Sequence, residues 1–539
     1  MKNNSEIKVF TGQEALLLCS DIRFQASWDA LYKACSWATI FQSRPFVTTW
    51  YNIYQQEYLP VIIKAERNGV LLGLLTVAKD KKNLITGAGA NQAEYQVWLA
   101  TDINGNSFIV DALLALDKYF PGSKVNLAYI DNRAPLSWTT ESAFGRRRCF
   151  LKATKHYYVS LNQAYIVNKL KKPSRKSKIN RLKRLGELKF ERIADPATFT
   201  SLIDQLSVLS DFRKGAMFNK FYFRDDPLLV KFLMAILELN ILHASVLMLN
   251  DEIIASNIGI MGNAGKVMHS GNNAHVPSYA KYSPGILHFL FLSKHLSDEG
   301  VEVLDLGPGD NFYKEEIGSD YTVGYTLCVS DVFHTVSTKV KDRIIRQAKT
   351  VATSVGVKPA SLRRIKTDAD IHGIPSIIKS FLNKTWRNKA TRRLKIERNN
   401  IQTSGSLIRI QKDSLYDLLA YDQGPDAGLP RWRFLSEAKD RLEAGEHCYT
   451  WMEDNKLLAC VWLKELTTAE NGDGNSIDPA CSGVLLDGLY CHSLVVKNIN
   501  EFLMCVAAGC GRDKVYAEVK EPGHYQTLIA AGFAPLTKE

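Results

Sequence analysis

The chain has 539 residues, 46% of them hydrophobic and 23% charged, with a formal net charge of +12 at pH 7. This composition is typical of globular proteins and excludes global disorder, and the length predicts about three domains. No apolar run reaches the roughly 18 residues that a membrane span needs, and residues 1–6 lack the apolar core of a signal peptide. We therefore expect a cytoplasmic protein without a transmembrane segment.

One arrangement of predicted elements occurs three times along the chain. Each copy contains an apolar hairpin, and the hairpins pair residues 61–67 with 70–77, 242–249 with 253–260, and 448–452 with 457–463. The first hairpin turns at Asn68-Gly69, a dipeptide typical of two-residue turns. A further strand, a helix and another strand follow each hairpin; for the first copy we assign that further strand to residues 94–99. The recurrence predicts tandem modules.

The repeats predict four segments: an N-terminal module, a central module, a basic helical linker and a C-terminal module. Their expected bounds are 1–155, 156–335, 336–404 and 405–539. Breaks ending at Pro359 and Pro375 support a linker character for the third segment.

Basic residues are concentrated in two regions. Residues 169–184 contain nine Lys or Arg in sixteen positions and no acid, and a second basic region runs from about 339 to 398. Such surfaces attract anions, for example a nucleotide, a CoA phosphate, a tRNA or a lipid head group. The alternative is a solvated face that only keeps the protein soluble.

The segment from Ser283 to Lys314 is the most informative in the chain. Ser283-Pro284-Gly285 forms a turn, an apolar helical run follows, and Gly300 is a plausible end for that helix. Residues 301–306 alternate as a strand, and a glycine-rich loop comes next. This order can place backbone N–H groups against an anion with the carboxylate of Asp305 beside them.

The ten cysteines show no Cys-x-x-Cys spacing, and most lie within apolar strands or helices. Buried thiols that act as small hydrophobic side chains are therefore expected, without disulfides and without a metal site.

The central module resembles the GNAT acyltransferases, and within them the CelD-like, polysaccharide-associated branch that is related to Fem-type peptidyltransferases. The residues that carry the resemblance are the basic lead-in helix 174–185, Ile254-Ala255 of the hairpin, Tyr282-Ser283-Pro284-Gly285, and Asp305-Leu306-Gly307-Pro308-Gly309-Asp310 with Tyr313-Lys314. The chain departs from the branch at 211–215 and at 272–275, which bears on the substrate more than on the fold. The flanking modules resemble the family by their order of elements.

The resemblance implies an α/β protein with mixed sheets, built from tandem GNAT-like modules. It also implies an acyl-CoA co-substrate, with acetyl-CoA expected, held by Ser283, Gly285, Gly307 and Gly309. Pro284 lacks an N–H, so the usual pyrophosphate loop is incomplete.

Acyl transfer to an amine needs a base, a donor for the oxyanion and an acid for the thiolate. We assign catalysis to Asp305, His269 and Tyr313, and substrate binding to Asn272, Asn273, Tyr282 and Lys314. Each has an alternative: Asp305 as a loop cap, His269 as a core histidine, the others as turn, surface or packing residues. His275 competes with His269 for the role of base, and Glu94 and Tyr95 have an acceptor-binding role as one interpretation.

The sequence therefore predicts a bacterial N-acyltransferase that moves an acyl group from acyl-CoA to an amine of a sugar, a polysaccharide precursor or an amino-acid-derived acceptor. One alternative is a Fem-type transferase that uses aminoacyl-tRNA, for which the basic stretch 169–184 would bind RNA. Another is a GNAT-like protein that has lost catalysis and binds partners or an anionic surface.

Overall fold

A computed structural model provides the fold of the chain. The described residues are 6–101, 104–309, 312–354, 392–397, 408–422, 429–465, 483–492, 494, 498–511, 514–519, 522–530 and 532–535. They group into two compact units: unit 1 is Met1–Ile203, Asp226–Ala274 and Tyr282–Gly356, and unit 2 is Asp204–Asp225, His275–Lys281 and Val357–Glu539.

The elements up to Ser354 belong mainly to unit 1. The strands are β1 (Glu6–Thr11), β2 (Tyr58–Arg67), β3 (Val70–Asp80), β4 (Leu84–Gly87), β5 (Leu99–Ala100), β6 (Lys124–Asp131), β7 (Cys149–Ser160), β8 (Leu188–Ile193), β9 (Leu242–Leu249), β10 (Glu252–Gly262), β11 (Val267–His275), β12 (Val303–Pro308) and β13 (Asp320–Val329). The helices are α1 (Gln13–Ser20), α2 (Ile22–Ala34), α3 (Arg44–Tyr54), α4 (Gly105–Tyr119), α5 (Trp138–Glu141), α6 (Ala143–Arg148), α7 (Gln163–Lys171), α8 (Pro173–Leu185), α9 (Pro196–Phe218), α10 (Leu229–Glu238), α11 (Pro284–Asp298), α12 (Phe312–Ile317) and α13 (Val332–Ser354).

The remaining elements belong to unit 2. Its strands are β14 (Arg392–Glu397), β15 (Ile410–Lys412), β16 (His447–Glu453), β17 (Lys456–Glu465), β18 (Gly483–Cys491), β19 (Lys514–Val519) and β20 (Ala534–Pro535). Its helices are α14 (Leu415–Leu419), α15 (Arg431–Glu443), α16 (Ile499–Gly509) and α17 (Pro522–Ala530).

Each unit is built on one mixed sheet. In unit 1 the strand order is β1-β2-β3-β4-β6-β13-β7-β12-β11-β10-β9-β8, with β5 beside β3. In unit 2 it is β15-β16-β17-β18-β19-β14-β20. Antiparallel hairpins and parallel pairs occur together in both sheets, which confirms the predicted α/β fold with mixed sheets.

The predicted threefold repeat is visible in the pairing of the strands. Hairpins β2–β3, β9–β10 and β16–β17 are each followed by a third strand, a helix and a strand that is parallel to the third. The parallel pairs are β4 with β6, β11 with β12, and β18 with β19. Left-handed residues lie in all three turns: Asn68 with φ 53°, Asn250 with φ 54°, and Asp454 and Asn455 with φ 47° and 58°.

The third strand of the first repeat differs from the sequence prediction. It is β4, residues 84–87, whereas only Leu99 of the predicted stretch 94–99 lies in a strand. The physical reason is the Gln96 side chain, whose Oε1 accepts from Gly87 N–H (3.1 Å) and Ala128 N–H (3.1 Å) and so links β4 to β6 from outside the ladder.

Unit 1 places the predicted N-terminal and central modules on one sheet. Residue 155 lies inside β7, which pairs with β13, and β13 also pairs with β6 of the first repeat. Residues 392–397 of the predicted linker form strand β14 because Leu394 and Ile396 alternate into the core of unit 2. Residues 355–391, with part of the second basic region, lie outside the described residues. Within the described chain, each helix is too short or too polar to cross a bilayer.

Alternation along β11 and β12 separates a packed face from a polar face. Met268, Leu304 and Leu306 are buried in a cluster with Phe289 and Leu292 of α11. The side chains between them in sequence therefore point away from α11, and this places the polar site on the opposite face.

Replacing Leu304 with Ala should lower the free energy of unfolding of unit 1 by about 2–5 kcal/mol, because the side chain is fully buried and its removal leaves a cavity. Urea denaturation checks this, with Leu114→Ala as the control because Leu114 is 46% exposed. Equal losses in the two variants would contradict the packing described for this face.

Candidate active site

The parallel pairing of β11 with β12 is short. It joins Val267 to Val303, Met268 to Leu304 and His269 to Asp305. His269 and Asp305 occupy the last paired rung, and because they share a rung they face the same side of the sheet. Two residues that are far apart in sequence are thereby set side by side where the strands stop pairing.

A cavity of about 560 Å³ lies against this polar face. Its wall includes His269, Asp305, Tyr95, His156, Arg133 and Lys33. All of these belong to unit 1. The cavity is therefore wide enough for a small acceptor and carries histidine, carboxylate, phenol and cationic groups on its wall.

The carboxylate of Asp305 accepts three hydrogen bonds. Tyr95 Oη donates to Oδ2 at 2.5 Å, His269 Nδ1 donates to Oδ2 at 3.0 Å, and the Gly307 N–H donates to Oδ1 at 2.8 Å. A carboxylate can only accept, so Nδ1 of His269 carries the proton and Nε2 of a neutral ring keeps its lone pair. His269 thus has the tautomer that a general base needs.

Tyr95 joins a second histidine to the same network. Its hydroxyl oxygen lies 2.8 Å from His156 Nδ1. Since the phenol proton goes to Asp305, this oxygen accepts from His156 Nδ1–H, and His156 Nε2 carries the lone pair. That Nε2 atom is buried and has no hydrogen-bond partner among the described residues.

Burial and neighbouring charges set the protonation of the network. Burial would raise the pKa of Asp305, but the hydrogen bond and charge of His269, with the bonds from Tyr95 and Gly307, lower the pKa below its ordinary value. Burial and the Asp305 charge raise the pKa of Tyr95 well above its ordinary value. Burial lowers the pKa of His156. At neutral pH the carboxylate is ionised, whereas the phenol and the His156 ring are neutral.

The chain around Tyr95 is held in place although it is not a strand. The Tyr95 carbonyl accepts from Gln42 Nε2 at 2.8 Å, and the Gln96 N–H donates to the Ala128 carbonyl at 2.9 Å. These two bonds hold the backbone at Tyr95 and Gln96, so the phenol is positioned at Asp305 although Tyr95 lies in neither a helix nor a strand.

The predicted glycine-rich loop holds Asp305. Gly307 has φ 75°, and a Cβ at this position would collide with the carboxylate of Glu94. Lys314 is 4% exposed, and its Nζ donates to the carbonyls of Gly307 (2.9 Å) and Pro308 (2.7 Å). The Gly309 N–H donates to the Lys155 carbonyl at 2.9 Å.

These contacts differ from the roles predicted for the loop. Since the N–H groups of Gly307 and Gly309 already donate within the protein, a ligand anion would have to displace those bonds. The ammonium of Lys314 lies on the loop carbonyls, where it supports the loop.

The other predicted site residues are divided between two places. The Tyr313 ring stacks on Phe289, with centroids 5.9 Å apart and an interplanar angle of 17°, so it belongs to the α11 face and not to the His269 face. Asn272 and Asn273 lie further along β11 and are half-buried. Tyr282, Ser283 and Gly285 lie at the start of α11.

Ser283 begins α11 with left-handed backbone angles, φ 54° and ψ 52°. Its Oγ accepts from Lys178 Nζ of α8 at 2.7 Å. A lysine of the predicted basic stretch therefore lies at the helix N-terminus, where backbone N–H groups and the helix dipole also favour anions.

Sequence reasoning missed His156 as a member of the site and left Tyr95 as one interpretation. Tyr95 is 210 positions from Asp305. No local sequence pattern near Tyr95 or His156 indicates that either residue joins the Asp305 network. β7 does not alternate regularly in burial, and His156 and Tyr157 are both buried, so periodicity could not have placed His156 on a defined face.

Comparison with known proteins concerns the central part of the chain. Residues 172–315 match the family model described as "Acetyltransferase (GNAT) domain". The matched segment is about a quarter of the chain and contains both His269 and Asp305, whereas Tyr95 and His156 precede it. A search of curated proteins found no match.

Several solved structures resemble the chain at low sequence identity. The C-terminal domain of a putative lysylphosphatidylglycerol synthetase from Agrobacterium fabrum has 13% identity and a TM-score of 0.39, over 60% of this chain and 95% of that one. FemX has 12% identity and a TM-score of 0.39, over 56% and 95%. A tandem GNAT protein from the clavulanic acid biosynthesis pathway has 11% identity and a TM-score of 0.39, over 60% and 98%.

The match to the family model is the finding that bears on the site. A segment of this chain is similar to the GNAT acetyltransferases, and the pair that ends the β11–β12 ladder lies inside that segment.

Replacing Asp305 with Asn should remove a stabilising contribution that depends on pH. Because the pKa of Asp305 is lowered from its ordinary value of 3.8, the native state favours the ionised form, and this stabilisation is present above pH 3.8 and lost as pH falls through the native-state pKa. The difference in Tm between wild type and Asp305→Asn should therefore shrink as pH falls below 3.8.

Thermal unfolding followed by circular dichroism between about pH 6 and about pH 3 measures this difference. Asp298→Asn is the control, since Asp298 is exposed and pairs with Lys294 in an i,i+4 contact on α11. A Tm difference that stays constant over this range would contradict a lowered pKa for Asp305.

Proposed function

We propose that unit 1 is an N-acyltransferase that moves an acyl group from acyl-CoA, with acetyl-CoA as the expected donor, to an amine bound in the 560 Å³ cavity. The observation that carries the proposal is the His269–Asp305 pair, hydrogen-bonded at 3.0 Å on the wall of that cavity. The similarity of residues 172–315 to the GNAT acetyltransferases supports the reaction class.

His269 is the catalytic residue of this proposal. Its Nε2 takes the proton of the amine as the amine nitrogen attacks the thioester carbonyl. The C–N bond forms, the C–S bond breaks, and the CoA thiolate leaves and is protonated by solvent. Asp305 positions the ring and stabilises the imidazolium that forms, as a carboxylate does in hydrolase triads.

Tyr95 and the Gly307 N–H are positioning groups. They hold the Asp305 carboxylate from the sides that His269 does not use, at 2.5 Å and 2.8 Å. Because both donate to the ionised form, they keep Asp305 charged at the pH at which the base must work.

The donor is expected where β11 and β12 separate. In the GNAT fold, which this segment resembles, the acyl chain lies between the separated strands and the pyrophosphate lies at the start of the following helix. Here that helix is α11, with Ser283 and Gly285 at its start and Lys178 beside Ser283. Lys178 supplies a cation where Pro284 supplies no N–H.

The cationic side chains on the cavity wall indicate which chemical group the acceptor carries besides its amine. Lys33 is exposed and lines the cavity, whereas the guanidinium of Arg133 is already paired with Asp131 at 2.8 Å and 3.0 Å. We propose an acceptor that carries an anionic group as well as the amine, such as an amino-acid-derived compound or an anionic amino sugar.

Replacing His269 with Gln should lower kcat by roughly 10²–10⁴-fold, because the proton would lose its acceptor. Release of free CoA thiol from acetyl-CoA and longer acyl-CoAs, with panels of amino acids and amino sugars, measures the activity. Acetyl-CoA binding, followed by the shift in Tm, should be unchanged in the variant.

His334→Gln is the matched control, since His334 is exposed on α13. Turnover of His269→Gln that equals that of the control would remove His269 from the mechanism. Donor binding without turnover by wild type on any amine would favour a protein that binds acyl-CoA without transferring it.

Replacing Lys33 with Ala should raise the KM of the acceptor by up to about fivefold and leave kcat and acyl-CoA binding unchanged, since a solvent-exposed ion pair contributes up to about 1 kcal/mol. With the wild-type protein, an acceptor whose anionic group is replaced by a neutral amide should show a similar rise in KM. Equal KM values for the anionic acceptor and its amide analogue would contradict an anionic group on the acceptor.

The basic surface of α7 and α8 supports one second candidate, a Fem-type transferase that uses aminoacyl-tRNA. Six basic side chains of this surface are exposed: Lys171, Lys172, Lys176, Arg181, Lys183 and Arg184. RNA binding through such a surface should weaken steeply as salt rises. Stabilisation by charged tRNA and not by any acyl-CoA would move the proposal to this candidate.

A further inference from the structure

Three side chains outside the candidate active site converge between β9 and the last turn of α11. His243 comes from β9, His295 from the last turn of α11, and Glu299, four positions further on, is the C-cap residue that follows this helix. One ligand atom from each lies within 4.8 Å of the other two. All three belong to unit 1.

His243 is unusual among the buried polar residues. It is 0% exposed, and within the described residues neither of its ring nitrogens has a hydrogen-bond partner. A buried polar group without a partner costs free energy that a hydrocarbon side chain of similar shape would not. As an ordinary core residue, an imidazole would be a poor choice here.

The surroundings keep this histidine in its neutral form. Burial, with the charge of Arg192 and the neighbouring His295 and His288, lowers the pKa of His243 to about 3. The neutral ring has a free lone pair and is the form that binds metals.

We propose that His243, His295 and Glu299 form a binding site for a divalent transition-metal ion of the zinc type. Two imidazoles and one carboxylate are a common three-ligand set for zinc, with the fourth position left for water or a small anion. His295 Nε2 and Glu299 Oε1 are already 3.3 Å apart, a separation that suits two ligands at N and O distances of about 2.0–2.2 Å from one ion.

The carboxylate of this ligand set lines a second cavity of unit 1. Arg192 and Glu299 line this cavity, which has a volume of about 900 Å³. The ion can enter from this side and keep a water molecule there. Bound at this position it would join β9 to the end of α11.

Arg192 is the competitor of the ion. Its Nη1 donates to Glu299 Oε1, and the two side chains are 37% and 30% exposed. Because Arg192 is partly exposed it can swing away and release this oxygen to the ion. Removal of this cation should therefore strengthen metal binding.

The test is a titration of the metal-free full-length protein with Co²⁺, a spectroscopic substitute for Zn²⁺, followed by displacement with Zn²⁺. We expect one equivalent to give visible d–d bands without a thiolate-to-cobalt charge-transfer band, since the proposed ligands contain no cysteine. Zn²⁺ should also raise the Tm of wild type in a concentration-dependent way.

Replacement of any ligand should weaken Co²⁺ binding by at least about 10–100-fold, the loss seen when even the supporting partners of metal ligands are removed. The variants are His243→Leu, His295→Gln and Glu299→Gln. Metal-free His243→Leu should be as stable as wild type or more stable, because it removes a buried unsatisfied group. Arg192→Met should bind Co²⁺ more tightly than wild type.

Asp298→Asn and His334→Gln are the matched controls, a neighbouring carboxylate on α11 and an exposed histidine, and both should bind as wild type does. Binding that is unchanged in all three ligand variants, a thiolate charge-transfer band, or no binding in a folded wild type would each overturn the proposal. None of these outcomes depends on acyltransferase activity.

Discussion

The candidate active site depends on the stabilisation of one buried negative charge. The Asp305 carboxylate is 7% exposed, and an isolated ion at such a position would cost several kcal/mol. Three donors offset that cost: the Tyr95 phenol, the His269 ring and the Gly307 N–H. Each donor comes from a different segment, so the charge holds together β12, β11 and the irregular chain at Tyr95. The positive φ of Gly307 and the hydrogen bonds of Lys314 hold the loop that follows Asp305, and they thereby support the same carboxylate.

The continuous sheet of unit 1 explains why the site needs both repeats. β13 pairs with β6 on one side and with β7 on the other, which fixes the first repeat against the second. Tyr95 comes from the first repeat, and His269 and Asp305 come from the second. A segment limited to residues 172–315, the part similar to GNAT acetyltransferases, contains the pair but lacks the phenol that completes it.

Two buried polar clusters of unit 1 contrast in how well they are satisfied. The carboxylate of Asp305 is satisfied on both oxygens, and the protein alone accounts for its charge. The imidazole of His243 has two buried nitrogens without partners among the described residues, and its neighbours are a carboxylate and another histidine. The Asp305 carboxylate is thus satisfied by the protein itself, whereas the second cluster has the chemistry of a site that a ligand would complete.

Some features of this protein follow from local sequence patterns, and others depend on tertiary contacts. The sequence alone determined the threefold order of hairpin, strand, helix and strand and the start of α11 at Ser283-Pro284-Gly285, because hydrophobic period and turn chemistry act within a few residues. It also predicted His269 and Asp305 as catalytic residues, a role that stays a prediction. It misassigned the third strand of the first repeat, since Gln96 replaces ladder bonds there with its side chain, and it assigned a helical linker where β14 forms. Only the tertiary structure decided that Tyr95 and His156 reach Asp305, that Tyr313 lies on the opposite face, and that His243 meets His295 and Glu299. The physical reason is that these contacts join strands, a helix and an irregular segment that are far apart in sequence, and no periodic pattern within a few residues reports such contacts.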